Sequence, residues 1–150
     1  MREFGAACGG RGVRPANLHL TLAFLGAVPV SRVPAIMDAL DAVHGERFVL
    51  ELDSCGYWRH NRIVWAGAAQ CPPALSRLVD ALADALHPYG FRREAGEYRA
   101  HVTLLRDAHR GPMTGLSQPI EWRTSDFVLV QSVRRERTPA YEILKVRPLR

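Results

Sequence analysis

The stretch "NLHLTLAF", residues 17–24, leaves few folds open to this chain. Leu18, Leu20, Leu22 and Phe24 occupy every second position, and successive side chains of an extended chain point to opposite faces. A half-buried strand satisfies that spacing. A helix would scatter the four residues around its circumference. His19 and Thr21 then share the other face, where a solvent-facing strand ordinarily carries Lys, Glu or Thr. The pattern returns at "HVTL", residues 101–104, with His101 and Thr103 on one face and Val102 and Leu104 on the other. One strand histidine is generally structural. Two H-x-T triplets, each set in apolar alternation, point to chemistry instead.

The rest of the chain mixes both periods. Ser31 is placed to cap a helix running to about His44, with Val33, Ile36, Met37 and Leu40 on its apolar side. "PPALSRLVDALADALHPYG" predicts the strongest helix. Its prolines stand at the start, Leu75, Leu78, Val79, Leu82 and Leu86 form a stripe, and Gly90 lies past the end. Strands are expected at 17–25, 47–55, 62–67 and 99–105. Two more follow, "SDFVLVQSV" and "AYEILKV", joined by a turn near Pro139. A short helical turn is expected at 2–8, ended by Gly9 and Gly10. Hairpins interleaved with helices imply an α+β fold with mostly antiparallel sheet, in one domain spanning 1–150.

Composition narrows the function classes. At 47% hydrophobic and 23% charged residues, a chain of 150 buries a core without disulfide or metal support. Cys8, Cys55 and Cys71 are odd in number and lack C-x-x-C spacing, against a disulfide framework or a thiolate zinc site. No apolar run serves as a signal peptide or membrane span, so the cytoplasm is the expected location. His44, His60, His87 and His109 show no ligand spacing, and no metal or cofactor is expected. "CGGRG" resembles a phosphate-cradling loop but lacks the Lys-Ser/Thr that would complete one. The net charge of +5 favours anionic partners, nucleic acids and nucleotides first among them.

Paired histidines suit phosphoryl transfer without a metal. An imidazole titrates near neutral pH, so one can act as base while its partner acts as acid. Opposed across a phosphate, they can take a proton from the attacking oxygen and give one to the leaving oxygen. The threonine hydroxyls on the same face can donate to non-bridging phosphate oxygens. This reading does not order the two histidines.

Paired H-x-T-x strands are the signature of the two-histidine phosphoesterases. The chain resembles the bacterial RNA 2′,3′-cyclic phosphodiesterases, also called 2′-5′ RNA ligases, through "VRPANLHLTLAFLG", "GYWRHNRIVWAG", "HVTLLR" and "DFVLVQSV…YEILKVRPL". The resemblance implies a two-lobed fold with an H-x-T-x strand in each half, the two motifs facing across a cleft, and helices packed outside. It also implies hydrolysis of RNA 2′,3′-cyclic phosphate termini to 2′-phosphomonoesters without metal or ATP, reversible in principle as 2′-5′ ligation. His19 is then the proton donor, His101 the proton acceptor, and Arg106 a phosphate contact beside Thr21 and Thr103. Relatives ordinarily carry a strand and helix before the first motif, and "MREFGAACGG" stands where that helix ends. A missing strand would expose a sheet edge, with poor stability or pairing with a second chain as the expectation.

Two other activities compete: phosphodiesterase action on 2′-5′-linked oligonucleotides or small cyclic nucleotides, and RNA binding without turnover. Tyr57, Trp58, Arg59 and Arg62 read equally as a nucleotide clamp or as hairpin packing.

Overall fold

Periods of 2 and 3.6 residues sort most of the chain into antiparallel strands and two α-helices. The structure, a computed structural model, describes residues 7–93, 96–135 and 138–150. Among these, the order is β1 (Arg11–Gly12), α1 (Val33–Asp41), β2 (Val49–Leu52), β3 (Ser54–Trp58), β4 (Ile63–Gly67), α2 (Pro73–Leu86), β5 (His101–Arg106), β6 (Ile120–Arg123), β7 (Asp126–Arg135) and β8 (Thr138–Pro148). This is the α+β arrangement expected. Two compact units are assembled from alternating segments of the chain. The first takes Met1–Thr21, Leu50–Cys71 and Arg99–Trp122, and the second takes Leu22–Val49, Pro72–Tyr98 and Arg123–Arg150.

The first unit is built on a four-stranded antiparallel sheet in the order β1-β5-β4-β3. One face is apolar and closed: Val64, Ala66, Val102 and Leu105 are buried, and Cys8 and Ala108 join them. Burying such aliphatic side chains stabilises a domain by about 1.5–3 kcal/mol each. The run 47–55, expected as one strand, divides because it serves two sheets. β2 pairs with β6, while β3 pairs with β4. Asp53 stands at the division, and its carboxylate accepts the backbone N–H of Ala69 at 2.8 Å.

In the second unit α2 buries all five residues of its predicted stripe. Leu78, Leu82 and Leu86 pack with Ile36 and Leu40 of α1, with Phe127 of β7 and with Leu149. α2 ends in a 3-10 turn, His87–Tyr89, and Gly90 follows at φ 82° as a left-handed stop. β7 and β8 form a long antiparallel ribbon. Asp41 at the end of α1 ties it to β8, accepting from Lys145 at 2.6 Å and from Arg147 at 3.0 Å.

Several expectations are corrected. Residues 17–25 form no ladder strand: a 3-10 turn, Pro15–Asn17, precedes a single bridge, Leu20 to Val102, and Phe24 is exposed. The open edge of β5 is shared, with β1 against its far end, so Leu20 alone completes a pair. Ser31 caps nothing. A 3-10 turn, Val30–Arg32, runs into α1, and Pro34 in the first helical turn needs no N–H partner. β6 was not expected. Pro139 lies inside β8, and the connection from β7 falls at 136–137, outside the described residues. Of the helical turn expected at 2–8, only Ala7 and Cys8 are described, as helical. Among the described residues no helix is long and apolar enough to cross a membrane.

Candidate active site

Both H-x-T motifs fall in the first unit, on neighbouring backbone segments. Leu20 and Val102 pair antiparallel, so Leu20 takes the side of Val102. His19 and Thr21 therefore project to the other side of the sheet, together with His101 and Thr103. Extending the antiparallel register one residue each way sets His19 beside Thr103 and Thr21 beside His101.

The two histidines are anchored alike. His19 Nδ1 lies 2.7 Å from the carbonyl oxygen of Asn17, and His101 Nδ1 lies 2.8 Å from that of Arg99. A carbonyl only accepts, so Nδ1 carries the proton in both rings and donates it. The anchor therefore fixes Nδ1 and does not involve Nε2. In each case the acceptor sits two residues before the histidine. A backbone oxygen leaves no mark in residue type, which is why sequence reasoning missed it.

Arg106 reaches the motif face through an irregularity in β5. Plain alternation would put it with Val102 and Leu104 on the apolar side. The pairing of β4 with β5 jumps from Trp65–Thr103 to Val64–Leu105, and Leu104 is the extra residue. Such a bulge turns two consecutive residues to one side. Leu104 and Leu105 both pack in the core, and Arg106, exposed, is returned to the side of His101 and Thr103.

The loop after Arg106 is tightly held. Asp107 adopts φ 56°, an uncommon conformation for a residue with a Cβ. Arg62 donates to the carbonyls of Asp107 and Ala108 at 3.0 and 3.2 Å, and the Tyr57 hydroxyl donates to Ala108 at 3.1 Å. Tyr57 and Arg62 thus hold this loop, in keeping with the packing role that was one of their two readings. Arg11 donates twice to the Asp107 carboxylate, at 2.6 and 3.0 Å. Its hydrogen bond and charge hold Asp107 below the usual carboxylate range. With Asp107 so occupied, Arg106 has no ion-pair partner among the described residues. "CGGRG" passes beneath this loop as a helix stop. Gly10 has φ 87°, and a Cβ there would sit 2.6 Å from the Arg106 carbonyl oxygen.

Two indoles complete the motif face. Trp65 lies across Gly56 and Gly67: a Cβ at Gly67 would stand 2.8 Å from its ring, and one at Gly56 would overlap it. Trp58 rests against Trp65 with ring centroids 5.6 Å apart, and meets His101 edge to face at 4.5 Å. Burial pushes the Cys55 thiol up, away from the thiolate a nucleophile needs. Among the described residues no three His, Cys, Asp or Glu side chains converge as a metal site would require.

A family model described as LigT like Phosphoesterase matches residues 1–65. An RNA 2′,3′-cyclic phosphodiesterase of Archaeoglobus fulgidus is 30% identical over 156 residues, covering 97% of this chain and 88% of that protein. The chain belongs to the LigT-like phosphoesterases. An RNA 2′,3′-cyclic phosphodiesterase of Escherichia coli is 38% identical over 99 residues, 66% of this chain; the match spans little more than half, 56%, of that relative's length. Among solved structures, Escherichia coli LigT complexed with 3′-AMP superposes with a TM-score of 0.88 at 30% identity, covering 99% of this chain and 88% of that one. A protein of Thermus thermophilus, TT0787, gives 0.77 at 27% identity, covering 94% and 82%. In this LigT-like chain both H-x-T triplets are intact.

Proposed function

We propose that this chain hydrolyses 2′,3′-cyclic phosphate ends of RNA to 2′-phosphomonoesters by paired-histidine acid/base catalysis. The observation that carries this reading is the antiparallel Leu20–Val102 bridge, which brings both H-x-T triplets to one side of the sheet, with both imidazoles hydrogen-bonded through Nδ1 to a backbone carbonyl. That anchorage supports reading Nε2 as the proton-exchanging nitrogen of each ring. The family to which the chain belongs includes relatives named for this substrate.

His101 Nε2 takes a proton from water as the water oxygen bonds to phosphorus. The bond from phosphorus to O3′ breaks, its electron pair goes to O3′, and His19 Nε2 supplies the proton. The products are a 3′-hydroxyl and a 2′-phosphate, and exchange with solvent resets both rings. Thr21, Thr103 and Arg106 hold the non-bridging oxygens, whose charge grows in the displacement. The two anchors are alike, so the assignment of His19 as donor and His101 as acceptor rests on the family resemblance. With a 5′-hydroxyl in place of water as the attacking group, the same steps open the cyclic phosphate into a 2′-5′ phosphodiester with O3′ as the leaving oxygen, as 2′-5′ ligation requires. Cys8, Cys55 and Cys71 form no disulfide among the described residues, which suits the reducing cytoplasm proposed as the enzyme's location.

The test uses 2′,3′-cyclic AMP and an RNA ending in a 2′,3′-cyclic phosphate, with EDTA present, and identifies the phosphate position in the product. The expected result is 2′-phosphate, a bell-shaped pH–rate profile, and a loss of about 10²–10⁴ in kcat for His19→Ala and for His101→Ala. Turnover that survives both substitutions would overturn the mechanism. A 2′-5′-linked dinucleotide cleaved in preference to either substrate would overturn the substrate.

A further inference from the structure

We infer that Trp58 is a positioning residue for His101, holding the imidazole in register for proton transfer. The inference rests on reading His101 as one of the two proton-exchanging groups. Two fixed points are needed to set a ring's orientation about both side-chain torsions. The first is the hydrogen bond from Nδ1 to the Arg99 carbonyl. A hydrogen bond to one ring nitrogen still permits the ring to swing about that contact.

The second point is the indole. Its centroid lies 4.5 Å from that of His101 with the planes at 76°. In this arrangement the positive edge of one ring meets the negative face of the other. The indole has itself been given a fixed seat. Trp58 sits on β3, two strands from His101, and between them β4 presents Gly67 opposite His101 and Trp65 opposite Gly56. Because Gly56 and Gly67 lack a Cβ, the Trp65 ring lies flat over both. Trp58 leans on Trp65 and reaches across to the imidazole. A larger residue at Gly67 would displace the Trp65 ring that supports Trp58. The succession of Gly56 and Gly67, Trp65, Trp58 and His101 is a continuous packed support.

The residue was a nucleotide-stacking candidate on sequence alone, and that role predicts a different outcome. A stacking platform lost to alanine raises KM, whereas a lost support lowers kcat. Trp58→Ala, Trp58→Phe and Trp58→Leu are compared with wild type on 2′,3′-cyclic AMP, with melting temperature and circular dichroism as fold controls. Imidazole nitrogen–proton correlation spectra report which His101 nitrogen carries the proton. A ring displaced by about 1 Å costs on the order of 10- to 100-fold in rate. The expected result is therefore that loss in kcat for Trp58→Ala and Trp58→Leu, with KM within about 2-fold of wild type. Trp58→Phe should retain most of the activity, and the Nδ1-protonated signal of His101 should give way to a mixture when the ring is removed. Should Trp58→Ala fail to fold, Trp58→Leu, which keeps apolar volume without a π-face, decides alone.

An increase in KM at unchanged kcat, or an unchanged His101 spectrum in the alanine and leucine variants, overturns the inference. The spectrum needs no substrate. A wild type inactive on cyclic phosphates therefore refutes the proposed substrate, while the spectral arm still decides the contact.

Discussion

A threonine two residues beyond a histidine in an extended segment shares its face but is not its nearest partner. The antiparallel Leu20–Val102 bridge brings Thr21 and Thr103 to the face that carries His19 and His101, and the proposed reaction has each hydroxyl serve a phosphate held between the two imidazoles. Hydrogen bonds to a charged group are worth about 1.5–3 kcal/mol, so losing one costs roughly 10- to 150-fold, at 1.4 kcal/mol per factor of ten. Thr21→Ala and Thr103→Ala are each expected to lower kcat/KM on 2′,3′-cyclic AMP by about that range. Thr→Ser at either position keeps the oxygen and should recover most of the loss. Steady-state kinetics on the four variants checks this, and serine variants as impaired as the alanine ones would show that the methyl group's packing matters instead.

At the level of elements, Asp41 joins α1 to β8, and its titration gives that joint a pH dependence. The hydrogen bond from Lys145, opposed by some desolvation and assisted by the charges of Lys145 and Arg147, lowers its pKa below the ordinary 3.8. A carboxyl whose folded pKa is depressed contributes stability that is fully present above its unfolded value and is lost as pH falls through the folded one. The window is therefore the acid side, below about pH 4. Asp41→Asn is expected to melt lower than wild type at neutral pH, and the gap should close as the buffer is taken toward pH 2. Thermal melts across that range check it; a gap independent of pH would show that the loss does not come from the charge of the Asp41 carboxylate. The same scale shows what the sequence could and could not convey. The stripe of α2 and the shared face of His101 and Thr103 are legible because a regular element repeats its period. The side taken by Arg106 is not, since one extra residue, Leu104, inverts the count and no residue type marks the bulge. The 17–25 segment misled for a related reason: alternation reports an extended chain, but a ladder also needs a partner along its whole length, and only Leu20 finds one. Trp58 was visible as an aromatic, while its contact with His101 depends on a glycine in its own strand, Gly56, and one in the next, Gly67.

For the whole molecule, the decisive quantity is charge. The formal net charge is +5, and Arg59, Arg106 and Arg110 are exposed in the unit that holds both motifs. If that charge only maintains solubility, an RNA end and a cyclic mononucleotide should bind with equal sensitivity to salt, since each would be held by its terminal phosphate alone. If the arginines also contact phosphates further along the strand, each contact releases counterions. The affinity of a single strand then falls with a log–log slope of about −0.7 per neutralised phosphate, so a fourfold rise in salt weakens binding roughly 2.6-fold per contact. The expected outcome is the second: KM for a ten-nucleotide RNA with a cyclic end climbs steeply between 50 and 200 mM salt, KM for 2′,3′-cyclic AMP moves little, and kcat for both stays level. Parallel salt curves for the two substrates would restrict recognition to the terminal nucleotide. A difference of one slope unit of 0.7 corresponds to one internal phosphate contact, and charge-removing substitutions at Arg59, Arg106 and Arg110 would then identify the arginine that makes it.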